Sequence, residues 1–129
     1  MKILLIDDDP LHLSSLEISL KVRDYQCRSF LRPLQAIESY RSERYDAVIS
    51  AVKMLEISGE KVLKAVLDIN PEAKVILITG FDDVNIDVGD GTGAYAFLRK
   101  PLKIEELVTT LEKIERTLTP DEEINHHCP

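Results

Sequence analysis

The stretch Ile-Leu-Leu-Ile-Asp-Asp-Asp-Pro, residues 3–10, decides how this chain folds. Four consecutive apolar residues suit a strand buried on both faces, because successive side chains of a strand point to opposite sides. The run then stops abruptly in three acids. Asp9 followed by Pro10 reads as a helix start: an aspartate side chain accepts from the first unpaired helical N–H groups, and proline's fixed φ suits the first helical position. Leu13, Leu16 and Leu20 follow at helical spacing, which predicts a helix over roughly residues 10–22.

The same alternation of strand and helix continues along the chain. Residues 26–30 form a second, weaker strand in which Gln26 and Arg28 alternate with apolar groups, as suits a sheet edge. Pro33 opens a second helix carrying Leu34, Ile37 and Tyr40. Residues 46–51 (DAVISA) read as a third strand, and 53–57 as a loop. Ser58 caps a third helix with Val62, Leu63, Val66 and Leu67 on one stripe, stopped by Asn70-Pro71. Residues 74–79 (KVILIT) are the most strand-like run. Across 82–93 topology calls for a helix, yet Gly89, Gly91 and Gly93 each cost about 1 kcal/mol there relative to alanine. A short, irregular or mobile helix is expected. Residues 94–99 make a fifth strand, and Ile104, Leu107, Val108, Leu111, Ile114 and Leu118 mark a last amphipathic helix. Five β/α units predict an α/β fold: a doubly wound parallel sheet with helices on both faces. One domain spans 1–118, and 119–129 reads as a disordered tail.

Composition narrows the function. The chain has 129 residues, which suits one domain. Sixteen Lys and Arg against 23 Asp and Glu give a net charge of −7, which disfavours gripping nucleic acid or anionic lipid. No apolar run approaches the roughly 20 residues that span a bilayer. Cys27 and Cys128 lie in different contexts and imply no disulfide framework, so a reducing cytoplasm is the default location. His126, His127 and Cys128 are metal-ligand types, but at a chain end they read as chance neighbours.

In open parallel sheets, ligands bind beyond the carboxyl ends of the strands. Strand 1 ends in Asp7 and Asp8, strand 3 at Ala51, strand 4 at Thr79 and strand 5 at Lys100-Pro101. Two acids, a hydroxyl and an ammonium converging there would suit a hard cation and a phosphoryl group. Taken singly, each has an ordinary explanation as cap, β-former or surface lysine. Taken together, each at the same end of a different strand, they form a candidate site.

The segments ILLIDDDP (3–10), YDAVISAVKM (45–54), SGEKVL (58–63), VILITG (75–80) and GAYAFLRKP (93–101) resemble, in order, the receiver domain of two-component response regulators. The resemblance implies a flavodoxin-like sandwich with strand order 2-1-3-4-5 and a role in phosphorelay signal transduction, without enzymatic activity of its own. It implies that Asp7 and Asp8, with the backbone carbonyl of Lys53, hold Mg²⁺. It further implies that Thr79 is the switch hydroxyl, Phe97 the aromatic switch, Lys100 the phosphate-pairing lysine and Pro101 a cis-proline. A histidine kinase or other signalling protein is the implied partner, with a homodimer through the expected helix at 82–93, the fifth strand and the last helix.

One position departs from the family. Its phosphoacceptor aspartate is here Ala51, which offers no oxygen to a phosphoryl group or a metal. Leu55 likewise replaces the usual proline. The expectation is a pseudo-receiver with weakened Mg²⁺ affinity, serving as an interaction or regulatory module. A normal receiver carrying an engineered Asp-to-Ala substitution at 51 would have the same sequence. Ser50 points away from the Ala51 direction and is a poor substitute acceptor. Asp82 and Asp83 fit a helix cap better than the pocket. The second reading is a haloacid-dehalogenase-like phosphatase using Asp7 and Asp9. A flavin-type carrier is weaker, since three aspartates after strand 1 would repel a phosphate.

Overall fold

The computed structural model describes residues 1–80 and 93–118. The elements in order are β1 (Lys2–Ile6), α1 (Pro10–Lys21), β2 (Gln26–Phe30), α2 (Pro33–Ser42), β3 (Ala47–Ala51), α3 (Gly59–Ile69), β4 (Val75–Thr79), β5 (Ala96–Arg99) and α4 (Ile104–Leu118). All pairings are parallel and the sheet order is β2-β1-β3-β4-β5, as the resemblance implied. The reversal of direction falls at β1, between β2 and β3.

Strand alternation sorts the core into two layers. Ile3, Leu5, Ile49, Ile76, Ile78 and Leu98 face Leu13, Leu16 and Leu20 of α1 and Leu107, Leu111 and Ile114 of α4. Leu4, Ile6, Val48, Val75 and Leu77 face Ala36, Ile37 and Tyr40 of α2 and Val62, Leu63 and Val66 of α3. Both faces of β1, β3 and β4 are therefore covered, which is why these strands read as continuous apolar runs. β2 is the edge, with Gln26 and Arg28 exposed.

The helix stripes need two corrections. In α2 the buried set is Pro33, Ala36, Ile37 and Tyr40, which is the i, i+3, i+4, i+7 pattern; Leu34 lies one position off that stripe and is exposed. Leu118, in the last turn of α4, is likewise exposed. The expected helix at 82–93, with Asp82 and Asp83, lies outside the described residues except for Gly93. The tail 119–129 lies outside them as well.

Caps appear where side-chain chemistry places them. Asp9 accepts from Leu11 N (3.1 Å) and His12 N (3.4 Å), and Ser58 accepts from Lys61 N (3.3 Å). The peptide bond Lys100–Pro101 is cis.

Gly59 joins β3 to α3 by close approach. Its N–H donates to Val52 O at 2.7 Å, and a Cβ at this position would lie 2.2 Å from Ala51 O and 2.8 Å from Val52 Cα. The obstructing atoms are backbone, so no rotamer change relieves the clash. Gly59→Ala is expected to cost about 1–3 kcal/mol, read as a lower midpoint in urea unfolding.

Cys27 on β2 is half-buried. Burial pushes its thiol up to about 11, with Glu17 adding to the shift and Lys21 opposing it. At pH 8 its thiolate fraction is then about a hundredfold below that of an ordinary thiol. Alkylation mapped to residue 27 by mass spectrometry is expected to lag glutathione by a comparable factor.

Candidate functional site

The sheet register fixes which residues meet beyond the strand ends. Ile6 pairs with Ser50, Ala51 with Ile78, and Thr79 with Arg99. Asp7, one residue past Ile6, is thus level with Ala51. Backbone bonds carry the ladder into the loops: Asp7 N donates to Phe30 O (3.2 Å), Val52 N to Ile78 O (3.0 Å) and Lys100 N to Thr79 O (2.8 Å).

Asp7 is 4% exposed. Its Oδ1 accepts from Asp9 N at 3.0 Å, and its Oδ2 accepts from His12 Nδ1. Burial raises the carboxyl pKa. The hydrogen bonds from His12 and Asp9 and the charges of His12 and Lys100 outweigh burial, and the net shift is below the ordinary carboxylate value. Asp7 is therefore an anion at neutral pH, held by side chains from α1 and from the end of β5.

Asp8 faces elsewhere. Its Oδ2 accepts from Leu55 N at 2.8 Å, which pins the β3–α3 loop while leaving the Leu55 side chain 96% exposed. Two clefts open near the acidic pair, and Asp8 lines one of them. One, of about 410 Å³, is lined by His12, Leu16, Lys100 and Pro101. The other, of about 300 Å³, is lined by Asp8, Leu31, Arg32, Leu55 and Glu56.

The remaining candidates take these places. Ala51 is buried at the end of β3. Thr79 is buried, and its hydroxyl donates to Leu98 O at 3.5 Å. Ser50 Oγ donates to Ala51 O at 2.9 Å, so that hydroxyl already has an acceptor. Phe97 is half-buried on the α2–α3 side. Lys53 is exposed in the loop after β3. Asp9, proposed from sequence as one half of a phosphatase pair, has its carboxylate on two helical N–H groups and acts as a cap.

His12 is the site residue that sequence reading missed. It lies five residues after Asp7, and only the tight turn through Asp9 and Pro10 brings it back. The signal was present as an acid before the cap and a histidine in the first helical turn. The Leu55 N–H to Asp8 contact had no side-chain signal at all.

Mg²⁺ is typically held by one or two carboxylates together with several waters. Both Asp7 oxygens and one Asp8 oxygen already accept hydrogen bonds, and Ala51 supplies none. Among the described residues, no three His, Cys, Asp or Glu side chains are grouped into a metal site made of side chains alone. The donor set lacks a carboxylate at position 51, and the carboxylates it keeps already accept hydrogen bonds.

A family model for the response regulator receiver domain matches residues 3–112. The chain belongs to that family. Receiver domains are signalling modules of two-component systems that interact with histidine kinases and other signalling proteins, and they commonly bind Mg²⁺. This one is 35% identical over 112 residues to the transcriptional regulatory protein ZraR of Escherichia coli K12. The match covers 86% of the chain and 25% of ZraR, so the chain spans a quarter of that relative's length. A receiver domain protein from Clostridium thermocellum superposes with a TM-score of 0.81 at 27% identity, over 88% of this chain and 92% of that one. TrrA from Thermotoga maritima, solved in complex with Mg²⁺ and BeF, superposes at 0.78 with 26% identity, over 88% and 97%. The family gives no support to the phosphatase reading. No described helix of this receiver domain is long and apolar enough to cross a membrane.

Removing the Asp9 cap is expected to cost about 1 kcal/mol. Asp9→Ala should lower the urea midpoint, and Asp9→Ser should recover most of the loss.

Proposed function

We propose that this receiver domain signals without forming an aspartyl phosphate. The reading rests on Ala51, which is buried at the end of β3 and level with Asp7, and which the resemblance aligns with the family's acceptor. A methyl group has no lone pair with which to attack a phosphoryl donor. Thr79, Phe97 and Lys100 keep the family's residue types at their positions, so the switch elements outlast the group that drives them. The domain then acts as an interaction or regulatory module for a histidine kinase or another signalling protein. A homodimer through the segment 82–93, β5 and α4 is a further mode of association. No step of this function runs through Mg²⁺, which the Asp7, Asp8 and Lys53 set would hold more weakly without a third carboxylate. The TrrA complex, with Mg²⁺ and BeF bound, is the contrasting case.

Incubation with a small-molecule phosphodonor and Mg²⁺ is expected to give no acid-labile phosphoprotein. Ala51→Asp restores the missing carboxylate, and label should then appear at residue 51. Labelling of the unsubstituted chain at the rate of an ordinary receiver would overturn the reading.

A further inference from the structure

We propose that His12 competes with a divalent cation for Asp7, holding that carboxylate turned onto its own ring nitrogen. This deepens the reading of the cleft as a receiver pocket without its acceptor, and it can fail separately from that reading.

A carboxylate as buried as Asp7 must be compensated, because desolvating an unpaired anion costs several kcal/mol. A receiver with three acids at its strand ends has more negative charge there than one lysine balances, and a divalent ion supplies the difference. Here position 51 is neutral. Asp7 is matched by His12 and Lys100, and Asp8 is withdrawn to the Leu55 N–H.

The geometry is closed. Asp9 N donates to Asp7, the Asp9 carboxylate accepts from His12 N, and His12 Nδ1 donates to Asp7. This ring of three residues fixes the imidazole before any ligand arrives. An Nδ1–H is present in the Nδ1 tautomer and in the imidazolium alike, so the contact does not depend on protonation of the ring. A metal ion reaching Asp7 must first break this bond. Hydrogen bonds to charged groups are strong enough to lower the apparent metal affinity by about tenfold or more.

The test is a Mg²⁺ titration of ¹⁵N-labelled protein, following the backbone amides of Asp7, Asp8 and residues 53–55. The chain, His12→Ala and His12→Gln are compared, each also in an Ala51→Asp background where binding is stronger. We expect His12→Ala to bind Mg²⁺ about tenfold more tightly than the parent in either background. His12→Gln, which keeps an N–H donor, should fall between, and it stands in for the alanine variant if that one fails to fold. The ring nitrogens of the parent should show a proton on Nδ1 at neutral pH. Equal Mg²⁺ affinity with and without His12, absence of binding in every variant, or an Nδ1 without a proton would each overturn the proposal. Phosphodonor labelling of the unsubstituted chain would instead overturn the reading of position 51 and leave the His12 comparison standing.

Discussion

A single buried anion organises the carboxyl end of this sheet. Asp7 directly follows a strand whose residues 3–6 are all apolar and buried, and its charge has to be met within a few ångströms. The turn through Asp9, the orientation of His12 and the approach of Lys100 all meet it. Each partner comes from a different stretch of chain, so satisfying Asp7 also ties α1 and the end of β5 to β1. In low-dielectric surroundings such contacts are strong and their loss is costly, which makes the region rigid.

That rigidity depends on the two apolar layers beneath it. Alternate residues of β1, β3 and β4 lock α1 and α4 on one face and α2 and α3 on the other. Register follows from this alternation, since a slip of one residue would turn every apolar side chain to the wrong layer. The level of Asp7 with Ala51, and of Thr79 with Arg99, is thus a consequence of core packing.

The fold was largely legible in the sequence because both of its signals are local. Apolar runs bounded by caps gave all five strands and the four described helices, with ends shifted by a residue or two. Leu34 was misplaced because a three-residue spacing from Ile37 was taken as the stripe, whereas Pro33 and Ala36 complete it. The strand-end residues were legible through their order along the chain. Their partners were not. His12 reaches Asp7 through a turn whose geometry no spacing rule encodes, and Asp8 is met by a main-chain amide that leaves no mark on residue type. The reading of Ala51 as the acceptor position, by contrast, rests on the resemblance in sequence alone.

The contact between Gly59 and the Ala51 carbonyl carries a mechanical consequence. With backbone lying where a side chain would begin, the tip of the third strand and the head of the third helix have no slack between them. A displacement at one is transmitted undamped to the other. A partner that displaces that helix would therefore press on the end of β3 through main-chain atoms.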